Sequence, residues 1–222
     1  MIYTSGIVSL IVQVIVGIID YLALNLKIDP KDEILKDLLK VELGVQVVEF
    51  IFYAWLIYSF SKVSKNITTF RYVDWMITTP LMLITLSAFL KHDGTTGDRL
   101  TDFLSKNKGS VIKIVLLNAA MLFLGLMAEL GYLSTYTAVA LGFIPFVLNF
   151  KYIKDTFLPK SPSKVKKAVF YWFVFFWALY GVFATMNYQT KNVGYNILDI
   201  FSKNFFGLFL SYVILKKSST LQ

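Results

Sequence analysis

The sequence predicts an all-α protein, a bundle of seven membrane-crossing helices. Three observations carry the prediction. The 222 residues are 56% hydrophobic with a mean hydropathy of +0.62, too apolar for an ordinary soluble domain. Apolar runs recur seven times, each roughly 20 residues long, which is what ~30 Å of hydrocarbon requires. The charged residues gather between the runs, so the net charge of +8 reads as membrane topology rather than as a nucleic-acid surface.

The runs fall at 3–25, 41–60, 69–90, 111–129, 133–153, 165–187 and 194–216. The first carries Gln13 and Asp20 and lacks both a charged leading region and a small-residue cleavage site, so a retained helix is expected rather than a signal peptide. Before the second lies KIDPKDEILKDLLK, read as a separate short amphipathic surface helix beginning after Pro30. The third contains RYVDWMITTP, with Arg71 and Asp74 inside apolar sequence. The fourth and fifth are joined by GYLSTY, a tight turn. The sixth contains FFWALYG, and the seventh NILDIFSKNFFGLF. One domain spanning 1–222 and an integral, multi-pass location in a lipid bilayer are expected.

Lysines and arginine concentrate in the 26–40, 91–110 and 151–168 loops and the C-terminal tail, which predicts an outside N-terminus and a cytoplasmic C-terminus. The single histidine, His92, is read as a solvated loop residue. With no cysteine there is neither a disulfide nor a thiolate metal site, and no metal or enzymatic centre is expected.

Ionisable groups at membrane depth are costly and mark function. Lys203 sits near the middle of the seventh run with Asp199 one helical turn earlier on the same face, and Asp74 lies in the third. A mid-membrane lysine with two aspartates is a constellation of an amine and its counter-charges.

RYVDWMITTPL in a third helix and LDxxxKxxFG in a seventh resemble the microbial (type I) rhodopsins. The resemblance implies that Lys203 bears all-trans retinal as a Schiff base. It makes Asp74 the primary counterion and proton acceptor, Asp199 the second counterion, and Arg71 the arginine below them. A protonated Schiff base is a buried cation and needs carboxylates close by to stay charged. Trp75, Trp177 and Tyr180 match the aromatic clamp on retinal. MLFLGLMAE supplies Met121 and Gly125, and GFIPF offers Gly142 and Phe146. Met82 lies where this family's colour switch sits. The acceptor, intermediate and donor positions read Asp74, Thr78 and Thr85, so the carboxylate donor of outward proton pumps is missing. Gly181 stands in place of the usual proline after Tyr180. The NYQTKNV segment, read as a loop, lacks the glutamates of a proton-release group.

A polar stripe runs beside this centre. Glu42, Gln46 and Glu49 share one face of the second helix, and Ser9, Gln13 and Asp20 repeat nearly the same arc in the first. Asn196 and Asn204 flank Lys203. Two intramembrane glutamates cost more than helix packing needs, which points to a hydrated ion pathway between helices one, two and seven. The stripe makes the chain similar to the viral rhodopsins of giant algal viruses, the Organic Lake phycodnavirus rhodopsin group, whose first subgroup are light-gated cation channels. The reading is therefore a retinal photoreceptor gating permeating cations. A weak outward proton pump, a sensory rhodopsin with a separate transducer and a non-retinal membrane scaffold or transporter stand as alternatives, and homo-oligomerisation stays open.

Overall fold

The computed structural model describes residues 1–220. The helices are α1 (Ile2–Leu24), α2 (Ile34–Val63), α3 (Ile67–Lys91), the short α4 (Leu100–Lys106), α5 (Lys108–Glu129), α6 (Thr135–Phe157), α7 (Lys164–Ala184), α8 (Tyr188–Asp199) and α9 (Phe205–Ser219). A π-helical turn, Ile200–Asn204, joins α8 to α9, and the three make one membrane-length rod. Seven rods are long and apolar enough to cross a membrane: α1, α2, α3, α5, α6, α7 and α8–α9. The shortest has 21 residues, about 32 Å at 1.5 Å per residue. Their large outward side chains, such as Ile11, Ile15, Ile18, Ile51 and Phe175, are apolar and exposed, as lipid contact requires.

The expected surface helix after Pro30 is instead continuous with the second rod. Only the 3₁₀ turn Pro30–Asp32 stands apart, and α2 runs unbroken from Ile34. Nothing between 34 and 41 breaks a helix, and Ile34, Leu35, Leu38 and Leu39 pack into the main apolar core with Leu83, Leu86 and Leu90 of α3. The 91–110 loop holds α4, whose Phe103 is buried against Phe157 at 5.4 Å between ring centroids. The GYLSTY turn forms as expected, with Gly131 at φ +81°, a conformation other residues rarely adopt. NYQTKNV is not a loop: Asn187 caps α8 by accepting from the Thr190 amide, and the helix starts one residue later.

His92 is not solvated. Its Nε2 lies 3.0 Å from Oδ1 of Asp32, whose Oδ2 accepts from Lys217 at 2.8 Å. Lys166 donates to the His92 carbonyl at 2.6 Å. One buried aspartate thus ties the start of the second rod to the ends of the third and seventh, and the start of the sixth joins through His92. Burial of a carboxylate demands such partners; the histidine's polar sequence neighbours gave no sign of them.

Candidate functional site

The seventh rod, α8–α9, places the central amine. The π turn locally widens the helix around Lys203, a geometry frequent at functional sites. Lys203 Nζ donates to Asp74 Oδ2 at 2.5 Å and lies 3.8 Å from both Asp199 Oδ1 and Glu49 Oε1. All four side chains are buried. Buried charges persist only when paired and hydrogen-bonded. Asp74 comes from α3, Asp199 from α8 and Glu49 from α2, so the amine is held where three rods meet. Glu49, read from the sequence as a pathway residue, also belongs to this cluster.

One turn before Asp74, Arg71 is completely buried. Its Nη1 lies 3.2 Å from Asp199 Oδ2, its Nε donates to Asn192 Oδ1 at 3.3 Å, and its Nη2 bonds Asn196 Oδ1. Tyr53 donates to Asp199 Oδ2 at 2.7 Å and Tyr180 to Asp199 Oδ1 at 2.6 Å. Asn196 also donates to Ser5 Oγ at 2.8 Å and to the Ile2 carbonyl at 3.1 Å, which closes this end of the network against helix one. Asn196, read from the sequence as a pathway residue, is thereby engaged on every side. Tyr53 and Asn192 were missed. Their spacing could have found them: 42, 46, 49, 53 and 192, 196, 199, 203 each repeat one helical face.

Beside the amine lies a largely apolar cavity of about 130 Å³. Trp75, Met82, Met121, Gly125, Gly142, Phe146, Trp177 and Tyr180 line it, all anticipated from the sequence. Among the described residues, Lys203 is its one charged lining residue. Trp75 meets Tyr72, Tyr180 and Tyr195 edge-on at 5.0, 5.5 and 5.2 Å, which fixes its plane as a wall. Thr78 does not reach the cavity. Its hydroxyl donates to the Asp74 carbonyl at 2.9 Å, while Thr79, not singled out, lines the wall and receives Asn118 Nδ2 at 2.8 Å. Small residues were needed for shape: a Cβ on Gly125 would overlap the Tyr72 hydroxyl, and one on Gly181 would lie 2.7 Å from the Phe143 ring.

The stripe residues are buried as a set, and most keep open valences. Gln46 donates to Asp20 Oδ2 at 2.6 Å and Ser211 to Asp20 Oδ1 at 2.6 Å, a knot between helices one, two and seven. Thr85 donates to Glu42 Oε1 at 2.5 Å. Ser9 Oγ, both amide atoms of Gln13 and of Asn204, both oxygens of Glu49, Glu42 Oε2 and Gln46 Oε1 are buried with no hydrogen-bond partner among the described residues.

A model of bacteriorhodopsin-like proteins matches residues 3–217, and the chain belongs to that family. The green-light absorbing proteorhodopsin of Gamma-proteobacterium EBAC31A08 is 27% identical over 168 residues, 68% of this chain and 63% of that protein, so the chain spans less than two thirds of that relative's length. The crystal structure of viral rhodopsin OLPVRII superposes with a TM-score of 0.82 at 27% identity, over 97% of this chain and 98% of that one. Xanthorhodopsin superposes with a TM-score of 0.75 at 18% identity, over 99% and 94% of the two chains, a likeness of fold. The protein is thus an integral, multi-pass microbial rhodopsin related to the viral rhodopsins, and its cofactor is retinal. The cavity agrees: retinal is an apolar polyene ending in an aldehyde, and an apolar chamber with a lone amine at its wall suits it.

Proposed function

We propose that residues 1–222 act as one light-gated cation channel, with Lys203 as the retinal-bearing residue and the Lys217 end of the bundle in the cytoplasm. The observation that carries the reading is the seam of partnerless polar atoms between helices one, two and seven. Each buried polar atom left unpaired costs about 1–3 kcal/mol. Among the described residues, nine of the twelve such side-chain atoms belong to Ser9, Gln13, Glu42, Gln46, Glu49 and Asn204. A bundle held only by packing does not concentrate that cost in one seam; a route for water and cations does.

Retinal, when bound, supplies light absorption and a change of shape. The chain does the rest. Asp74 takes the proton held at Lys203 Nζ, which removes the ion pair that plugs the centre. Glu49, 3.8 Å from the same Nζ, lies between the lysine and the seam, so a changed charge at Lys203 alters the field along the route. Glu42 and Glu49 attract cations and repel anions. Voltage-clamped illumination tests this: a current reversing near the cation equilibrium potential supports the channel, and a small outward current that never reverses refutes it.

A second reading rests on one contact. Thr85 occupies the position of a pump's proton donor, and the structure sets the Glu42 carboxyl against its hydroxyl at 2.5 Å. A carboxyl from helix two thus stands where helix three lacks one, as an outward proton pump would need. Xanthorhodopsin is described as a light-driven ion pump. Light-driven acidification outside vesicles, abolished in Glu42→Gln, would favour this reading.

A further inference from the structure

The lysines at the Lys217 end divide into two unlike halves. Around the second rod and α4, acids neutralise most of them within the chain: Lys36 pairs with Glu33 at 3.5 Å, Lys40 with Asp37 at 3.7 Å and Lys106 with Asp98 at 2.8 Å, while Arg99 grips Asp37 with two bonds of 2.6 Å. Around the fourth to sixth rods the pattern stops. Lys108, Lys113, Lys151, Lys154, Lys164 and Lys167 are all exposed, and among the described residues none forms an ion pair. Asp155, on the same helix as Lys151 and Lys154, is itself exposed and forms no ion pair among the described residues.

We propose that this face binds anionic phospholipid headgroups across the ends of the fifth and sixth rods. Charge complementarity favours a counter-anion from outside the chain. The setting says which. Lys154 Nζ lies 3.4 Å from the Tyr171 hydroxyl, so it bridges α6 to α7, and Lys113 Nζ sits 4.1 Å above the Tyr152 ring on α5 and α6. Tyrosines beneath lysines mark the headgroup level, where a ring is half in hydrocarbon and an ammonium reaches water. Below them the same surface continues as exposed Leu148 and Phe175, apolar side chains suited to acyl chains. An acidic soluble protein would meet the lysines but leave that apolar strip without a role. Each lysine near an anionic surface adds to the attraction, so Lys151, Lys154, Lys164 and Lys167 together favour charged over neutral lipid.

The test uses the full pigment in lipid discs of phosphatidylcholine with a minority of phosphatidylglycerol, followed by native mass spectrometry counting retained lipid. The parent should retain phosphatidylglycerol above its share of the disc. A variant combining Lys151→Gln, Lys154→Gln, Lys164→Gln and Lys167→Gln should lose that enrichment by about tenfold or more. The Lys→Arg version at the same four positions should keep it, as should Lys36→Gln with Lys106→Gln in the neutralised half. An unchanged visible band certifies folding in every variant. Equal retention of the two lipids by the parent overturns the proposal, as does equal loss in the control. Binding of a polyglutamate peptide without lipid enrichment would also overturn it and assign the face to an acidic protein.

Discussion

Glu49 Oε1 lies 3.8 Å from Nζ of Lys203 and has no hydrogen-bond partner among the described residues. That one relationship joins the polar seam to the amine that would carry the chromophore. Two unit charges at this separation interact by about 4 kcal/mol at an effective dielectric of 20. Glu49→Gln should therefore alter both colour and current, whereas Glu42→Gln, bonded to Thr85 away from the amine, should alter current alone. Absorption spectra and photocurrents of the two variants check this, and an unshifted band in Glu49→Gln would remove Glu49 from the cluster.

Lys203→Ala should insert in the membrane and show no visible band. Asp74→Asn should keep retinal but move the band to longer wavelength, because it loses the 2.5 Å contact that stabilises positive charge at Nζ. Acidifying the parent until Asp74 is protonated should shift the band in the same direction. The change should exceed that of Glu49→Gln, since Asp74 makes the direct bond. A titration with no shift, together with an unshifted Asp74→Asn, would assign the main counter-charge to Asp199.

Met82 is buried and lines the cavity wall. A polar amide there stabilises the ground state's localised charge more than the excited state's, so Met82→Gln should absorb to the blue. The spectrum of the purified pigment decides, and an unchanged maximum would show that the side chain does not face the polyene.

Gly181→Ala places a methyl 2.7 Å from the Phe143 ring and must push that ring into the cavity. Overpacking of this kind costs about 1–3 kcal/mol. Pigment yield and thermal bleaching temperature should both fall, and Phe143→Leu in the same chain should recover part of the loss by making room.

The Asp32 tie predicts a stability change far from the chromophore. Asp32→Ala strands His92 and Lys217 and should cost about 1–3 kcal/mol, as loss of a buried hydrogen-bond acceptor does. Lys217→Ala, whose side chain is 39% exposed, should cost under about 1 kcal/mol. Thermal bleaching measured for both, with the visible maximum unchanged, tests the ranking.

The sequence alone determined the seven rods, because bilayer thickness dictates the length and apolarity of each. It also singled out Lys203, Asp74, Asp199 and Arg71, since charges in such rods are rare enough to stand out singly. The lining residues from Trp75 to Tyr180 followed from the same motifs. What it did not show is which charges meet. Glu49 reaches Lys203, Glu42 reaches Thr85, and Asp32 ties His92 to Lys217 across separations of 154, 43 and up to 185 residues. Those pairings depend on how rods rotate about their axes when they pack, a property of all the side chains at once. Helical spacing states which residues share a face; only the assembled bundle decides what that face looks at.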